Sequence, residues 1–414
     1  MQERNTKEAL EAQILLDVAR LISSSLDLDE VLELMLDSLK RMLKYDAAAI
    51  FLIDKKKQEV GEIKTRGYDL ALEQDLILKV GQGLVGWVAE HKEPVIVQDV
   101  EKDSRYIQAR HETKSEIVVP IMTDQRIIGV FNLESNEVNS YSSDDLNLLT
   151  AFASHCAVAI ERTRLHKEIL IKHKLEEELL IARRIQESFL PHKDPVLSGF
   201  DISGINISSE QVGGDYYDFI PIVENQIGIA IGDVSGKGIP ASLIMASFRA
   251  SLIAEIRNNY AIRTIFFKVN NLLYESIERE NYVTAVYGVL NVENKIFTFS
   301  NAGHNPPILL KKGQEIENLS EGGLALGIMP NSDYKERALG LNPSDLLLLY
   351  TDGVTEAKNE SEEEFGIRRL EKILLENFTL TARQIQEKIY EQVKEFSRGK
   401  PRQDDLTMIV IKVL

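Results

Sequence analysis

VGGDYYDF (212–219) and AIGDVSGKG (230–238) decide how this chain is read. Between Asp215 and Asp233 the apolar runs are broken at Val223-Glu224-Asn225-Gln226, and the midpoint of the two aspartates falls on Glu224. A hairpin turning there returns Asp215 to the side of Asp233 and the Val234 carbonyl, within the roughly 5 Å of cross-strand neighbours. Two carboxylates so close repel unless a cation lies between them. Two further segments, LLYTDGVTEA (348–357) and RQDDLTMIV (402–410), also place an aspartate at a strand boundary. DLLLLYTD runs into Asp352, and LTMIVIKV leaves from Asp404 and Asp405. If those strands pair antiparallel, the end of one meets the start of the other.

Converging carboxylates with no His or Cys ligand suit hard, oxygen-preferring ions, Mg²⁺ or Mn²⁺. Two such ions about 3.5 to 4 Å apart activate a water and clamp the oxygens of a phosphoryl group during in-line displacement. Phosphate-ester hydrolysis is the reaction class expected. One aspartate at a strand end is more often a turn or cap residue, whereas four in one pattern outweigh that plain reading. Two look-alikes fail. GKG at 236–238 is not a phosphate loop, because three residues separate Gly232 from Gly236 where four are required, and Gly238 stands at the Ser/Thr position. GGD at 213–215 is like a diguanylate cyclase loop, but Tyr216 and Tyr217 replace its acidic residue and Phe.

Length and composition set the surroundings. A chain of 414 residues suggests two or three domains, and a net charge of −17 argues against nucleic acid as a partner. Cys156, the one cysteine, permits neither an intrachain disulfide nor a zinc cluster and reads as a buried helix residue in a reducing compartment. MQERNTKEAL at the start lacks the apolar run of a signal peptide, and no stretch reads as a membrane helix. No membrane and a cytoplasmic location are the expectation.

The charge divides unevenly: −10 over residues 1–160, +1 over 161–192 and −8 over 193–414. The near-neutral middle piece has no Gly or Pro over 161–190. Its apolar residues at Leu165, Ile169, Leu175, Leu179, Ala182, Ile185 and Phe189 recur about every 3.4 residues, near the 3.5 of a coiled coil. Pro191 ends the helix. A parallel homodimer seam is expected there, with a solvated connector helix as the plainer alternative, since His173 and Gln186 weaken the seam. Residues 1–160 read as two helices, several strands and a closing helix. Leu28–Leu43 is amphipathic, 47–54, 93–100, 115–122 and 126–135 read as strands, and Ser142 or Ser143 caps a helix that runs into the linker.

The first region resembles a GAF domain on the strength of GQGLVGWVAEHKEPVIVQDV, VVPI, IIGVFNLES and the closing helix. The resemblance implies a small-molecule sensor or a dimerising module whose ligand is unknown. No cysteine is placed for a bilin, and the scattered His91, His111 and His155 read as surface or core-edge residues.

The remainder, roughly 175–414, resembles the PPM-family metal-dependent protein phosphatases, in the bacterial branch related to SpoIIE and RsbU. EELLIARRIQESFLP, GGDYYDF, GDVSGKGIPAS, NAGHNPP, LGI, TDGVTEA and DDLT stand in family order. The expected fold class is an α+β multidomain chain: a GAF sensor (1–160), a helical coiled-coil linker (161–192) and an αββα sandwich phosphatase (193–414). By match of motif, Asp233 bridges two divalent cations, Mn²⁺ or Mg²⁺, with the Val234 carbonyl assisting, Asp215 holds one, and Asp352 and Asp404 hold the other. Asp215 and Asp233 are the catalytic pair. Asp405 stands where many relatives have Asn, so Asp404 is preferred as the ligand.

Ser235 replaces the His that acts as general acid in eukaryotic members, so water is expected to protonate the leaving group. No Arg matches their phosphate-binding one; Lys237 is a candidate phosphate contact or a solvated turn residue, and His304 is given no chemistry. The substrate implied is a phosphoserine or phosphothreonine protein, often a STAS-fold anti-sigma-factor antagonist. The competing reading is a non-catalytic sensor and scaffold that binds a phosphoprotein, disfavoured by retention of all four aspartates. The helix at 238–256, just after Asp233, is placed to couple regulation to the metal site.

Overall fold

The structure is a computed structural model that describes residues 20, 22, 24–54, 59–68, 79–124, 126–312, 314–398, 400 and 402–414. The starting segment MQERNTKEAL and the first of the two expected N-terminal helices lie outside the described residues. Contacts divide the chain into two compact units, Met1–Lys174 and Leu175–Leu414.

In the first unit, α1 (Leu28–Met42) begins at Asp27, whose side chain accepts from the Glu30 N–H. The strands β1 (Ala47–Asp54), β2 (Glu59–Arg66), β3 (Val95–Val97), β4 (Ser115–Thr123) and β5 (Arg126–Ser135) form one antiparallel sheet in the order β2-β1-β5-β4-β3. Alternation along the strands supplies both faces. Ile50, Leu52, Ile117 and Leu133 pack with α1 and the long helix α3 (Ser143–Glu187), while Ala49, Phe51, Val118 and Val130 pack with α2 (Gly83–His91). Cys156 is buried, and His91, His111 and His155 are exposed. Two elements escaped the sequence reading. Both β2 and α2 lack the uninterrupted periodicity that marks the others, the first as EVGEIKTR and the second opening on Gly81-Gln82-Gly83. The strand expected over 93–100 shrinks to Val95–Val97, because the chain turns into a 3₁₀ turn at Val100–Lys102. Helix α3 is capped by Ser142, one of the two serines expected to cap it, with the Ser142 hydroxyl accepting from the Asp145 N–H and the Asp145 carboxylate from the Ser142 N–H. It ends at Glu187, four residues before Pro191.

The second unit has four layers. One sheet runs β13-β10-β9-β8-β7, with β14 also on β10, and the other runs β12-β11-β15-β16-β6. Their strands are β6 (Phe200–Ile207), β7 (Tyr216–Val223), β8 (Gln226–Val234), β9 (Val283–Asn291), β10 (Ile296–Ala302), β11 (Ile308–Lys311), β12 (Glu315–Asn318), β13 (Gly322–Gly323), β14 (Arg337–Gly340), β15 (Leu346–Tyr350) and β16 (Leu406–Val413). Phe297, Phe299, Ile229, Leu347, Leu349 and Ile409 fill the space between the sheets. Outside the first sheet lie α4 (Gly238–Asn258) and α5 (Ile262–Ser276); outside the second, beyond the one-turn α6 (Asp352–Thr355), lie α7 (Ile367–Asn377) and α8 (Ala382–Ser397). This is the αββα sandwich expected.

Helix α4 corrects one expectation. By length and composition alone it is apolar enough to cross a membrane, which the reading of the sequence passed over. Its Ala241, Met245, Phe248 and Leu252 are buried against the first sheet with α5. The apolar character of that stripe is accounted for by packing on a sheet.

Candidate active site

The β7–β8 hairpin turns at Glu224-Asn225, with Val223 opposite Gln226 and Asn225 at φ +61°. Its register pairs Tyr216 with Gly232, so Asp215 and Asp233 leave the open end of the hairpin side by side. In the other sheet Tyr350 lies opposite Met408, which sets Asp352, the first residue of α6, next to the start of β16 and the 404–405 pair. Four strand ends from two sheets therefore deliver Asp215, Asp233, Asp352 and Asp404 to one end of the sandwich.

Their surroundings differ. Asp215 is buried, 3% exposed, and its Oδ2 accepts from the hydroxyls of Thr351 at 2.8 Å and Thr407 at 2.5 Å. Burial, followed by the charges of Asp233 and Asp405, holds the Asp215 carboxyl well above its usual range. Burial, then Asp352 and Asp404, pushes Asp233 up to about 7. Asp352 rises to about 6 through burial and the charges of Asp404 and Glu356. The Val234 carbonyl faces the same loop, since a Cβ on Gly214 would meet it at 3.0 Å.

Asp404 and Asp405 point to opposite jobs. The Asp404 side chain is 42% exposed and pairs with Lys237 Nζ at 3.1 Å on the rim of the cluster. Asp405 is buried, its Oδ1 accepting from the Ser209 N–H at 2.7 Å and hydroxyl at 3.0 Å, and its Oδ2 from the Gly214 N–H at 2.8 Å. A Cβ at Gly213 would lie 2.0 Å from Asp405 Oδ2, which is why that loop opens on glycine.

Several supporting residues carried no assignment in the sequence. Thr351 and Thr407 stand beside Asp352 and Asp405 in TDG and DDLT, so their place in those motifs was the available signal. Gln186 likewise stands in EELLIARRIQESFLP, though in the sequence it reads only as a break in the apolar seam; its amide bonds both backbone groups of Gly213. Ser235, at the general-acid position, accepts from the Tyr282 N–H at 2.8 Å and is occupied structurally. His304 is buried behind the strands, with Nδ1 2.8 Å from the Thr284 hydroxyl, and Thr284 lies opposite Asp233 in the register. Burial pushes its pKa down to about 4, so it is neutral.

Whether these residues suit a metal is decided by their donor set. They offer hard carboxylate and carbonyl oxygens, and the carboxylates crowd enough to hold protons near neutrality, a penalty that a divalent cation removes. Among the described residues no three His, Cys, Asp or Glu side chains close on one point with the spacing of a finished metal shell. The mutual repulsion is the more telling observation, because carboxylates that face each other must either hold a proton or take up a cation, and a divalent cation satisfies several of them at once.

An αββα sandwich that gathers carboxylates at the ends of its central strands is the architecture of a metal-dependent phosphohydrolase. The profile described as Stage II sporulation protein E (SpoIIE) matches residues 224–414, and that described as GAF domain matches 25–161. Phosphoserine phosphatase RsbU of Bacillus subtilis (strain 168) is 30% identical over 244 residues, covering 58% of this chain and 72% of the relative. Protein IcfG of Synechocystis is 28% identical over 366 residues, 81% of this chain and 54% of that protein. The solved SiaA-PP2C domain of Pseudomonas aeruginosa superposes with a TM-score of 0.54 at 20% identity, covering 59% of this chain and 99% of that one, a likeness of fold. The chain belongs to the SpoIIE-type PP2C family of metal-dependent protein serine/threonine phosphatases and carries a GAF domain ahead of the phosphatase domain.

Proposed function

We propose that this chain is a signal-regulated phosphatase that removes phosphate from phosphoserine or phosphothreonine on a partner protein, using two divalent cations, Mn²⁺ or Mg²⁺. The observation that carries the reading is the meeting of Asp215, Asp233, Asp352 and Asp404 from two sheets at one end of the sandwich. Asp233 with the Val234 carbonyl, Asp215, Asp352 and Asp404 would hold the two ions. When bound, the pair supplies positive charge for the phosphoryl oxygens and acidifies the attacking water.

The chain's own residues prepare the rest. Thr351 and Thr407 fix the Asp215 carboxylate in one orientation, and Asp405 fixes the backbone that carries it. With Ser235 engaged by Tyr282, solvent protonates the leaving group. Lys237 sits at the rim beside Asp404, where a phosphoryl group would enter.

The proposed organisation is a sensor over 1–160, a coiled-coil linker over 161–192 that makes a homodimer, and a phosphatase over 193–414, acting in the cytoplasm. The substrate class is a phosphorylated partner such as a STAS-fold anti-sigma-factor antagonist. Regulation would travel through the linker's end. Arg249 of α4 donates to the Phe189 carbonyl at 3.1 Å, and a Cβ on Gly214 would lie 3.5 Å from Ala241 at the start of α4. A shift of the linker therefore bears on the loop that holds Asp215.

The test is hydrolysis of p-nitrophenyl phosphate by the full chain with Mn²⁺, wild type against Asp233→Asn. A rate at least about 100-fold lower in the variant is expected, in line with loss of a charge-stabilising group. Equal rates, or none in either protein, overturn the proposal.

A further inference from the structure

A second polar site lies in the N-terminal unit, on the face of the sheet that packs with Gly83–His91. Glu116 on β4 and Glu134 on β5 are directly paired across the strands, and Asn132 stands two residues before Glu134. The three side chains therefore share one face. All are buried, at 3%, 2% and 4% exposure.

Glu134 is well supplied with donors: the Tyr68 hydroxyl at 2.5 Å, Asn132 Nδ2 at 3.1 Å and the Thr113 hydroxyl. Glu116 Oε2 and Asn132 Oδ1 have no hydrogen-bond partner. Both residues line a cavity of about 30 Å³ together with Glu134, the aromatic rings of Phe51, Tyr68 and Tyr106, and the start of the 83–91 helix. Among the described residues no Lys, Arg or His lines it. Arg110, whose charge reaches Tyr68 and Tyr106, gives its guanidinium to Asn136 at 3.1 Å and Glu112 at 3.8 Å.

With both carboxyls ionised this arrangement has too many acceptors, and burial and the facing charge of Glu134 accordingly hold the Glu116 carboxyl well above its usual range when no cation is present. Like charges set directly opposite across a sheet destabilise it, and buried acceptors without donors are costly. An occupant that corrects both faults carries hydrogen-bond donors, a positive charge and no acceptor. A volume of about 30 Å³ admits only one or two water-sized groups, which excludes a guanidinium or a ring at the polar end. A divalent metal would want about six oxygens, whereas the Glu134 oxygens are already taken by Tyr68, Thr113 and Asn132, and the acceptors without a partner are Glu116 Oε2 and Asn132 Oδ1. A primary ammonium has three N–H donors, one each for Glu116, Asn132 and Glu134, and aromatic walls attract cations.

We propose that this cavity binds a primary ammonium group, R–NH₃⁺, either as a small free cation or as the head of a slender alkylamine, so that the N-terminal unit is an amine receptor. The proposal is independent of the phosphatase chemistry. Trp87 provides the readout: it is the only tryptophan in the chain, and it lies on the helix whose Leu84 and Val85 line the cavity.

The experiment titrates the full chain at pH 7 with methylammonium and butylammonium chloride, following Trp87 fluorescence and heat. Sodium chloride and tetramethylammonium chloride at equal ionic strength are the controls. Saturable binding of either amine is expected, with neither control reproducing it. Tighter binding of methylammonium assigns a small free cation; tighter binding of butylammonium assigns the head of a longer chain. Glu116→Gln, which keeps the volume and removes the charge, should weaken binding at least tenfold. Asn132→Leu, which leaves both carboxylates, should act in the same direction if the first variant fails to fold. The proposal is overturned if neither amine saturates, if the controls give the same response, or if both folded variants bind as the wild type does.

Discussion

The side-chain amide of Gln186 makes both of its hydrogen bonds to Gly213: Nε2 donates to the Gly213 carbonyl at 2.6 Å, and Oε1 accepts from the Gly213 N–H at 3.0 Å. Gln186 is 8% exposed and stands in the last turn of the 143–187 helix, and the Gly213 that it grips lies two residues before Asp215 in the chain. A linker residue thus sets the backbone position of a proposed metal ligand.

Gln186→Ala leaves a buried N–H and a buried carbonyl without partners, at about 1–3 kcal/mol for an unsatisfied group. The expected outcome is a rise of about tenfold in the Mn²⁺ concentration giving half-maximal hydrolysis, a change worth about 1.4 kcal/mol, with the rate at saturating Mn²⁺ within about twofold of wild type. Gln186→Glu, which sets a carboxylate oxygen against the Gly213 carbonyl in a buried place, should shift the metal dependence at least as far. A lower saturated rate with unchanged metal dependence would show that Gln186 does not act through the loop.

Asp404 and Asp405 should separate activity from stability. Asp404 is half-exposed, and its ion pair with Lys237 is of a kind worth about 0–1 kcal/mol, so Asp404→Asn should unfold in urea near the wild-type midpoint while losing Mn²⁺-dependent hydrolysis. Asp405→Ala orphans the Ser209 and Gly214 N–H groups and should cost about 3 kcal/mol or more. The reverse pattern would exchange the two assignments.

Proton and metal should compete at this site. Asp233, raised to about 7, and Asp352, raised to about 6, favour the metal-free fold below pH 4, and that contribution is lost as pH rises through their folded values. His304, lowered to about 4, has the opposite sign: its contribution is whole above about 6.5 and is lost as pH falls toward 4. A cation must displace protons from the aspartates at pH 5.5 and few at pH 7.5, whereas His304 is not a ligand and cancels between metal-loaded and metal-free samples. The rise in unfolding temperature caused by Mn²⁺ should therefore be larger at pH 7.5 than at 5.5, measured by calorimetry; an equal rise at both would exclude these aspartates as ligands.

The linker offers a seam without a partner in a single chain. Leu165, Ile169, Leu175 and Ile185, four of the residues at coiled-coil spacing, are 50%, 51%, 52% and 54% exposed. Ile169→Glu with Leu175→Glu should halve the mass seen in sedimentation equilibrium. A wild-type monomer, or a variant that stays dimeric, would place any dimer contact elsewhere.

Much of this was legible in the chain because it rests on local rules. A turn tetrad midway between Asp215 and Asp233 fixes their register by counting, and strands of period two announce β1, β4, β5, β8, β15 and β16 through their apolar runs. The order of the aspartate motifs carried the family. The two elements that escaped, 59–66 and 83–91, are the ones whose local pattern is weakest, and their structure comes from packing on a sheet formed by distant segments.

Tertiary structure alone decided which neighbour does what. Asp404 and Asp405 are adjacent in sequence and alternate in direction, so only the position of the Gly213–Asp215 loop, nearly 200 residues earlier, turns one toward solvent and the other into a buried clamp. The same holds for Gln186, a polar residue on a polar helix until the loop is folded against it, and for Glu116 and Glu134, ordinary strand carboxylates until a helix covers their face. Sequence names the groups and their spacing along the chain; burial and hydrogen bonding between remote segments give each group its charge state and its task, because the free energy of a polar group depends on what replaces its water.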